Sequence, residues 1–175
     1  MRAVTRFRLL ALLPLLAVAP AAGQRTGASG LSSFNSNAPV DVAADRIEVQ
    51  DRADRAIFSG NVDARQGNLR MTAARLTVAY ANTGGIQIQR LEASGGVTLR
   101  TPSETATSSF AIYDLDRRIV TMIGGVRLVQ GANRVQGGRL VLDLDSHRAV
   151  MDGGTGAAGG RVTGRFTVPD RRAGN

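Results

Sequence analysis

Residues 69–80 read LRMTAARLTVAY. Leu69 and Met71 alternate with Arg70 and Thr72, and Leu76, Val78 and Tyr80 alternate with Thr77 and Ala79. Successive side chains of an extended chain point to opposite faces, so a period of two predicts strands with one apolar face. The same alternation continues outward on both sides: Ile47 and Val49, Ile86 and Ile88, Val97 and Leu99, Val126 and Leu128, then Leu140, Leu142 and Leu144. Residues 51–54, 65–68 and 130–133 interrupt it with turn compositions at hairpin spacing. No segment carries a helical stripe of useful length, so the expected class is all-β.

An internal repeat emerges when the glycine marks are aligned: Ser59-Gly60-Asn61-Val62, Ser94-Gly95-Gly96-Val97, Ile123-Gly124-Gly125-Val126 and Asp152-Gly153-Gly154-Thr155. Their first glycines step by 35, 29 and 29 residues, the long step containing the 82–85 insertion. Ile47, Ala111 and Leu140 each stand 13 residues before a mark and open a strand that runs into a charged turn. A unit of this kind has one apolar face and cannot bury it alone, so the units must stack or fold over one another. Glycine at the mark permits positive φ or a bulge, bending the strand around a corner.

The ends set the compartment. Arg2, Arg6 and Arg8 precede an apolar run from Leu9 to Ala19, followed by the small residues Ala21, Ala22 and Gly23. Residues 1–23 therefore read as a secretory signal peptide cut after Ala21 or Gly23. The run is about half of the roughly 20 residues that span a bilayer, and Pro14 breaks it. An uncleaved anchor is the other reading. Residues 24–38 form a Gly-, Ser- and Asn-rich flexible lead-in, 39–170 one domain, and 171–175 a tail. Within the domain, 153–160 is Gly/Ala-rich loop and 161–168 offers a last edge strand before Pro169. There is no cysteine, so packing and backbone pairing must supply stability.

Net charge is +8, of which three arginines belong to the signal, and every basic residue is Arg. From residue 117 onward 10 Arg face 4 acids, whereas 24–116 is nearly balanced, so the charge is polarised along the chain. Arginine pairs with phosphate through a bidentate fork. Export, two Tyr, five Phe and no Trp argue against nucleic acid. An anionic glycolipid fits better, with a solvated basic surface as the alternative.

Taken in order, Ala44-Asp45-Arg46, Ala56-Ile57-Phe58-Ser59-Gly60-Asn61-Val62, Gln66-Gly67-Asn68-Leu69 running into Ala73-Ala74-Arg75-Leu76, Tyr113-Asp114-Leu115 leading to Ile123-Gly124-Gly125-Val126, and Arg161-Val162 resemble the LptA/OstA family of periplasmic lipopolysaccharide-transport proteins. The resemblance covers roughly residues 39–169. The second mark has Gly-Gly where the family often shows Gly-Asn, and the Gly/Ala loop displaces the last strand. It implies a twisted, open β-jellyroll whose groove holds lipopolysaccharide acyl chains. It also implies edge strands that pair with an inner-membrane-anchored LptC-like protein, with an outer-membrane LptD-like protein, or head-to-tail with another copy. Transport energy comes in that family from an inner-membrane ATPase; this chain has no nucleotide-binding motif.

The inward, lipid-facing set is Ile47, Val49, Phe58, Leu69, Met71, Leu76, Val78, Val97, Leu99, Tyr113, Val126, Leu128, Leu140 and Leu142. A filled sandwich core would use the same residues. Phe110 and Ile112 are apolar on the face opposite Ala111 and Tyr113, and a one-residue slip would exchange them. Arg117, Arg118, Arg134, Arg139 and Arg148 are candidates for lipid phosphates at the groove mouth. His147, the one histidine, falls in a charged turn and suits neither zinc nor a triad. Asp114/Asp116 and Asp143/Asp145 recur at corresponding places, which favours turn positions over a carboxylate pair for catalysis or Ca²⁺. No catalytic site, metal or cofactor is expected. Unpaired edges are expected at 40–49 and at 134–144 or 161–168. The leading function is a periplasmic lipopolysaccharide carrier. The alternatives are a self-associating β scaffold with a packed core, the inner-membrane-anchored partner of the same pathway, and a secreted carbohydrate-active enzyme.

Overall fold

The computed structural model describes Leu31, residues 35–154 and residues 160–167. The expected signal peptide, most of the lead-in and the tail lie outside the described residues. Among the described residues ten strands are formed: β1 (Val40–Ala43), β2 (Arg46–Gln50), β3 (Arg55–Gln66), β4 (Leu69–Asn82), β5 (Ile86–Arg100), β6 (Glu104–Asp114), β7 (Ile119–Gln130), β8 (Asn133–Asp143), β9 (Arg148–Asp152) and β10 (Thr163–Arg165). They make one antiparallel sheet in the order β1-β3-β4-β5-β6-β7-β8-β10, with β2 also on β3 and β9 also on β8. Both margins are thus split in two: β1 and β2 share the flank of β3, and β10 and β9 share the flank of β8.

The split coincides with a seam that crosses every long strand. Register shifts fall between Ser59 and Val62, Thr72 and Arg75, Ser94 and Val97, Thr107 and Phe110, and Ile123 and Val126. The extra residues lie on β3, β5 and β7 at the first three glycine marks, and they stand opposite Ala73-Ala74 of β4 and Ser108-Ser109 of β6, so three bulges sit in the middle of continuous strands. Gly95 and Gly124 show why the residue must be glycine: their φ values are +81° and +88°, and an added Cβ would stand 2.6 Å from Ala74 Cβ and 2.9 Å from Ser109 Cβ. A bulge bends its strand and raises the local twist. Bending every strand at one line folds the sheet into two halves, one bearing β1 and β10 and the other β2 and β9.

The halves face each other across a shared core that joins Val62, Met71, Leu99 and Val126 of the β1–β10 half to Leu76, Leu91, Met122 and Leu140 of the β2–β9 half. Directly paired residues share a face, so register traces whole inner rows. One runs Ile47, Phe58, Leu76, Ala93, Ala111, Met122, Leu140, Met151. Ile47, Ala111 and Leu140, equivalent in the sequence repeat, meet in this one row.

Three expectations change. Ile47 and Val49 hold inward register yet are each 56% exposed, because among the described residues β2 pairs only with β3 and nothing flanks it on its other side. Residues 134–144 do not form an edge, since β10 and β9 cover β8 along both parts of its length. The lead-in is held where it is described: Gln66 Nε2 donates to Ser36 O at 2.9 Å and to Ala38 O at 3.0 Å.

Candidate functional site

Between the inner faces lies a narrow apolar cavity of about 40 Å³, lined by Val40, Ala64, Gln66, Leu69, Met71 and Leu99 from one half and by Leu91, Ala93, Ala111, Tyr113 and Val120 from the other, with Arg65 and Ile112 at its border. Its wall is almost entirely apolar, and it is a slot between packed side chains, well below the size of a ready-made small-molecule pocket. Four members of the inward set line it: Leu69, Met71, Leu99 and Tyr113. Leu76, Val78, Val97, Val126, Leu140 and Leu142 are buried in the packed part of the interior beside it. Phe58 and Leu128 are half-buried against the same core.

Sequence reasoning missed Leu91, Ala93 and Val120. Along β5, Tyr80 pairs with Ile88 but Ala79 pairs with Arg90, so Gln89 is an extra residue. It inverts the phase, so Ile88 and Leu91 both turn to the core face with Ala93, while Ile86, paired with Asn82 beyond the end of β6, is 72% exposed. Phe110 and Ile112 face outward and are half-buried, while Ala111 and Tyr113 are buried inside. Burial raises the Tyr113 phenol pKa, the Asp145 charge adds to this, and Arg118 opposes it.

The segment before β1 bridges the rims of the two halves. Ser36 accepts Gln66 Nε2 from the end of β3 through its carbonyl, and Arg118 Nη2 from the β6–β7 turn through its hydroxyl. Arg118 Nη1 also donates to Asn37 Oδ1 at 3.5 Å, and its Nε lies 2.9 Å from Asp145 Oδ1.

The five candidate arginines are not gathered at one mouth. Arg117 sits 3.5 Å from Asp114, Arg118 serves the bridge, and Arg134, Arg139 and Arg148 point outward from different parts of the sheet. An unexpected basic row lies outside the β1–β10 half, where Arg65, Arg70 and Arg100 stand side by side across β3, β4 and β5. Asp63 takes both neighbours, at 3.0 Å from Arg65 and 2.9 Å from Arg70, and those bonds hold its pKa at about 2.

The paired aspartates are turn formers. Asp114 Oδ1 accepts the Arg117 N–H, and Asp143 Oδ1 accepts those of Asp145 and Ser146. The Ser146 bonds, backbone first, hold the Asp143 carboxyl below its ordinary pKa. His147 is exposed at the left-handed position of this turn, φ +53°; the half-buried Arg118 takes the same position in the preceding unit, at +54°. Among the described residues no group of three or more His, Asp or Glu is placed to hold a metal.

A family model described as LptA/(LptD N-terminal domain) LPS transport protein matches residues 41–148. An uncharacterized protein of Rhizobium meliloti is 32% identical over 136 residues, covering 74% of this chain and 71% of its own length. Lipopolysaccharide export system protein LptH of Pseudomonas aeruginosa is 25% identical over 130 residues, 71% of this chain and 73% of that protein. The crystal structure of LptH, the LptA-homologous periplasmic component of the lipopolysaccharide transport device of P. aeruginosa, has a TM-score of 0.65 at 18% identity. It covers 76% of this chain and 98% of that one, so the two share a fold. The family match runs from β1 to the first residue of β9, across the whole bulged sheet, and the chain belongs to the LptA/(LptD N-terminal domain) LPS transport protein family.

Proposed function

We propose that this chain is a periplasmic lipopolysaccharide carrier that shelters acyl chains between its two half-sheets and passes them to similar jellyrolls joined edge to edge. The observation that carries the reading is the apolar cavity together with inner rows that run out to the uncovered Ile47 and Val49. At about 25 cal/mol per Å² of apolar surface, sheltering an acyl chain contributes several kcal/mol, enough to favour a protein route across water. Strand direction supports serial joining. Counting antiparallel pairs from β2 to β9 makes the two run in opposite directions, and likewise β1 and β10. A second copy added in the same orientation therefore sets its β2 antiparallel to β9 of the first, continuing the inner rows from Met151 into the second copy's Ile47. An LptC-like protein at one margin and an LptD-like protein at the other would join by the same β-augmentation.

A photo-crosslinking residue placed in turn at Arg70, Met71 and Thr72 tests the lumen. Lipopolysaccharide adducts at Met71, with few at its neighbours, are expected. The absence of adducts at Met71 in a folded protein would favour the scaffold reading, which the fully buried Leu76, Met122, Leu140 and Leu142 support.

A further inference from the structure

One buried carboxylate has no part in the apolar rows. Glu104 opens β6 on the lumen side, two residues before Ala106, and is 4% exposed. Its Oε1 accepts Gln130 Nε2 at 2.7 Å, and its Oε2 accepts the backbone N–H of Leu31 at 2.9 Å. The Leu31 side chain is fully buried in the common core. Leu31 lies 73 residues away in sequence and belongs to no strand, so neither hairpin nor sheet geometry forces this contact.

What Leu31 offers the lumen is an apolar chain with an amide N–H at its head. We infer that the Glu104 end of the lumen is a subsite for an acyl chain headed by an amide donor, and that Leu31 fills it in the empty protein and is displaced by the ligand. The inference rests on the carrier reading above. Removing Leu31 withdraws a donor from a carboxyl group that water hardly reaches, and leaving a buried polar atom without a hydrogen bond is costly. A plain alkyl chain replaces the buried leucine surface but not the donor; an N-acyl chain replaces both. Self-occupancy lowers the apparent affinity by the fraction of molecules in which the subsite is closed.

The test is NMR hydrogen exchange at the Leu31 amide in the protein as exported. It is titrated below micelle concentration with N-dodecanoylglucosamine, and separately with dodecyl glucoside, which carries the same chain length and no amide. Leu31 is expected to be protected in the empty protein and to lose at least tenfold protection on saturation, while the Leu76 and Met122 amides keep theirs. The amide probe should act at a roughly tenfold lower concentration than the glucoside, and Leu31→Ala should bind it several-fold more tightly. Saturation with Leu31 still protected overturns the inference and leaves the carrier reading standing. Equal potency of the two probes overturns the amide requirement. If neither the parent nor Leu31→Ala binds either probe, both the inference and the carrier reading fail.

Discussion

Strands β2 and β4 carry the same alternation and meet opposite fates. Ile47 and Leu76 lie in one inner row, separated only by Phe58, yet Ile47 is 56% exposed and Leu76 is 0% exposed. The difference lies in the neighbours: β4 has β3 on one side and β5 on the other, whereas β2 has β3 alone. Periodicity fixes which face a side chain takes; the number of flanking strands fixes whether that face is dry. In a folded sheet open at its margins, the last apolar residues of a row such as Ile47 are left uncovered by the described residues.

Two pairs of substitutions put the largest strain on that contrast. Leu76→Ala should cost about 2–5 kcal/mol of unfolding free energy, since the tightly packed interior cannot collapse onto the void. Ile47→Ala should stay within about 0.5 kcal/mol in dilute protein, as for most exposed positions. Urea denaturation of the two variants reads the difference, and equal losses would mean that β2 is covered in solution. The seam supplies the next largest effect. Gly95→Ala combines a left-handed φ with a 2.6 Å clash against Ala74 Cβ, whereas Gly96→Ala has the same φ, +81°, and nothing within 4 Å. Both bear the backbone penalty of about 1–2 kcal/mol. The excess loss in Gly95→Ala measures how tightly the fold line is packed, and its absence would show a seam able to relax.

The glycine spacing made the fold line readable in the sequence, because a positive-φ bulge recurring at 29–35 residues has few other uses. The faces of β4 and β8 were readable too, since Leu76 and Val78, and Leu140 and Leu142, are interior without a break in phase, whereas apolar residues on both faces of β6 left the choice between Phe110/Ile112 and Ala111/Tyr113 to the structure. What escaped was anything set by a single extra residue or a distant partner. Gln89 shifts β5 by one, so that Leu91 in the cavity wall shares the inner face with Ile88. The Leu31–Glu104 contact joins residues whose local sequences say nothing of each other. Strand count beside β2 is likewise a property of the whole topology.

If the uncovered margin serves joining, a change there should alter association and leave folding intact. Ile47→Arg combined with Val49→Arg is expected to lower head-to-tail self-association at least tenfold in sedimentation, with an unchanged urea midpoint. Leu76→Ala should do the reverse, weakening the fold while the margin still pairs. Association that survives the double arginine variant would assign joining to the β1 and β10 parts of the margins.

The outer face repeats the contrast on a smaller scale. Asp63, on β3, is flanked by Arg65 and Arg70 and is 22% exposed, whereas Glu48, on β2, stands 3.9 Å from Arg46 with both side chains largely in water. The Asp63 pKa is lowered from 3.8 to about 2, so its ion pairs stabilise the fold fully above pH 4 and are lost as pH falls towards 2. Its arginine partners are at least half exposed, so solvent screening holds the effect to less than about 1 kcal/mol. Asp63→Asn should remove that increment at pH 7 and flatten the fall in stability between pH 4 and 2. Glu48→Gln should change neither. Urea midpoints across that pH range decide between them, and an equal response from both variants would mean that neighbours on both sides count for the inner face alone.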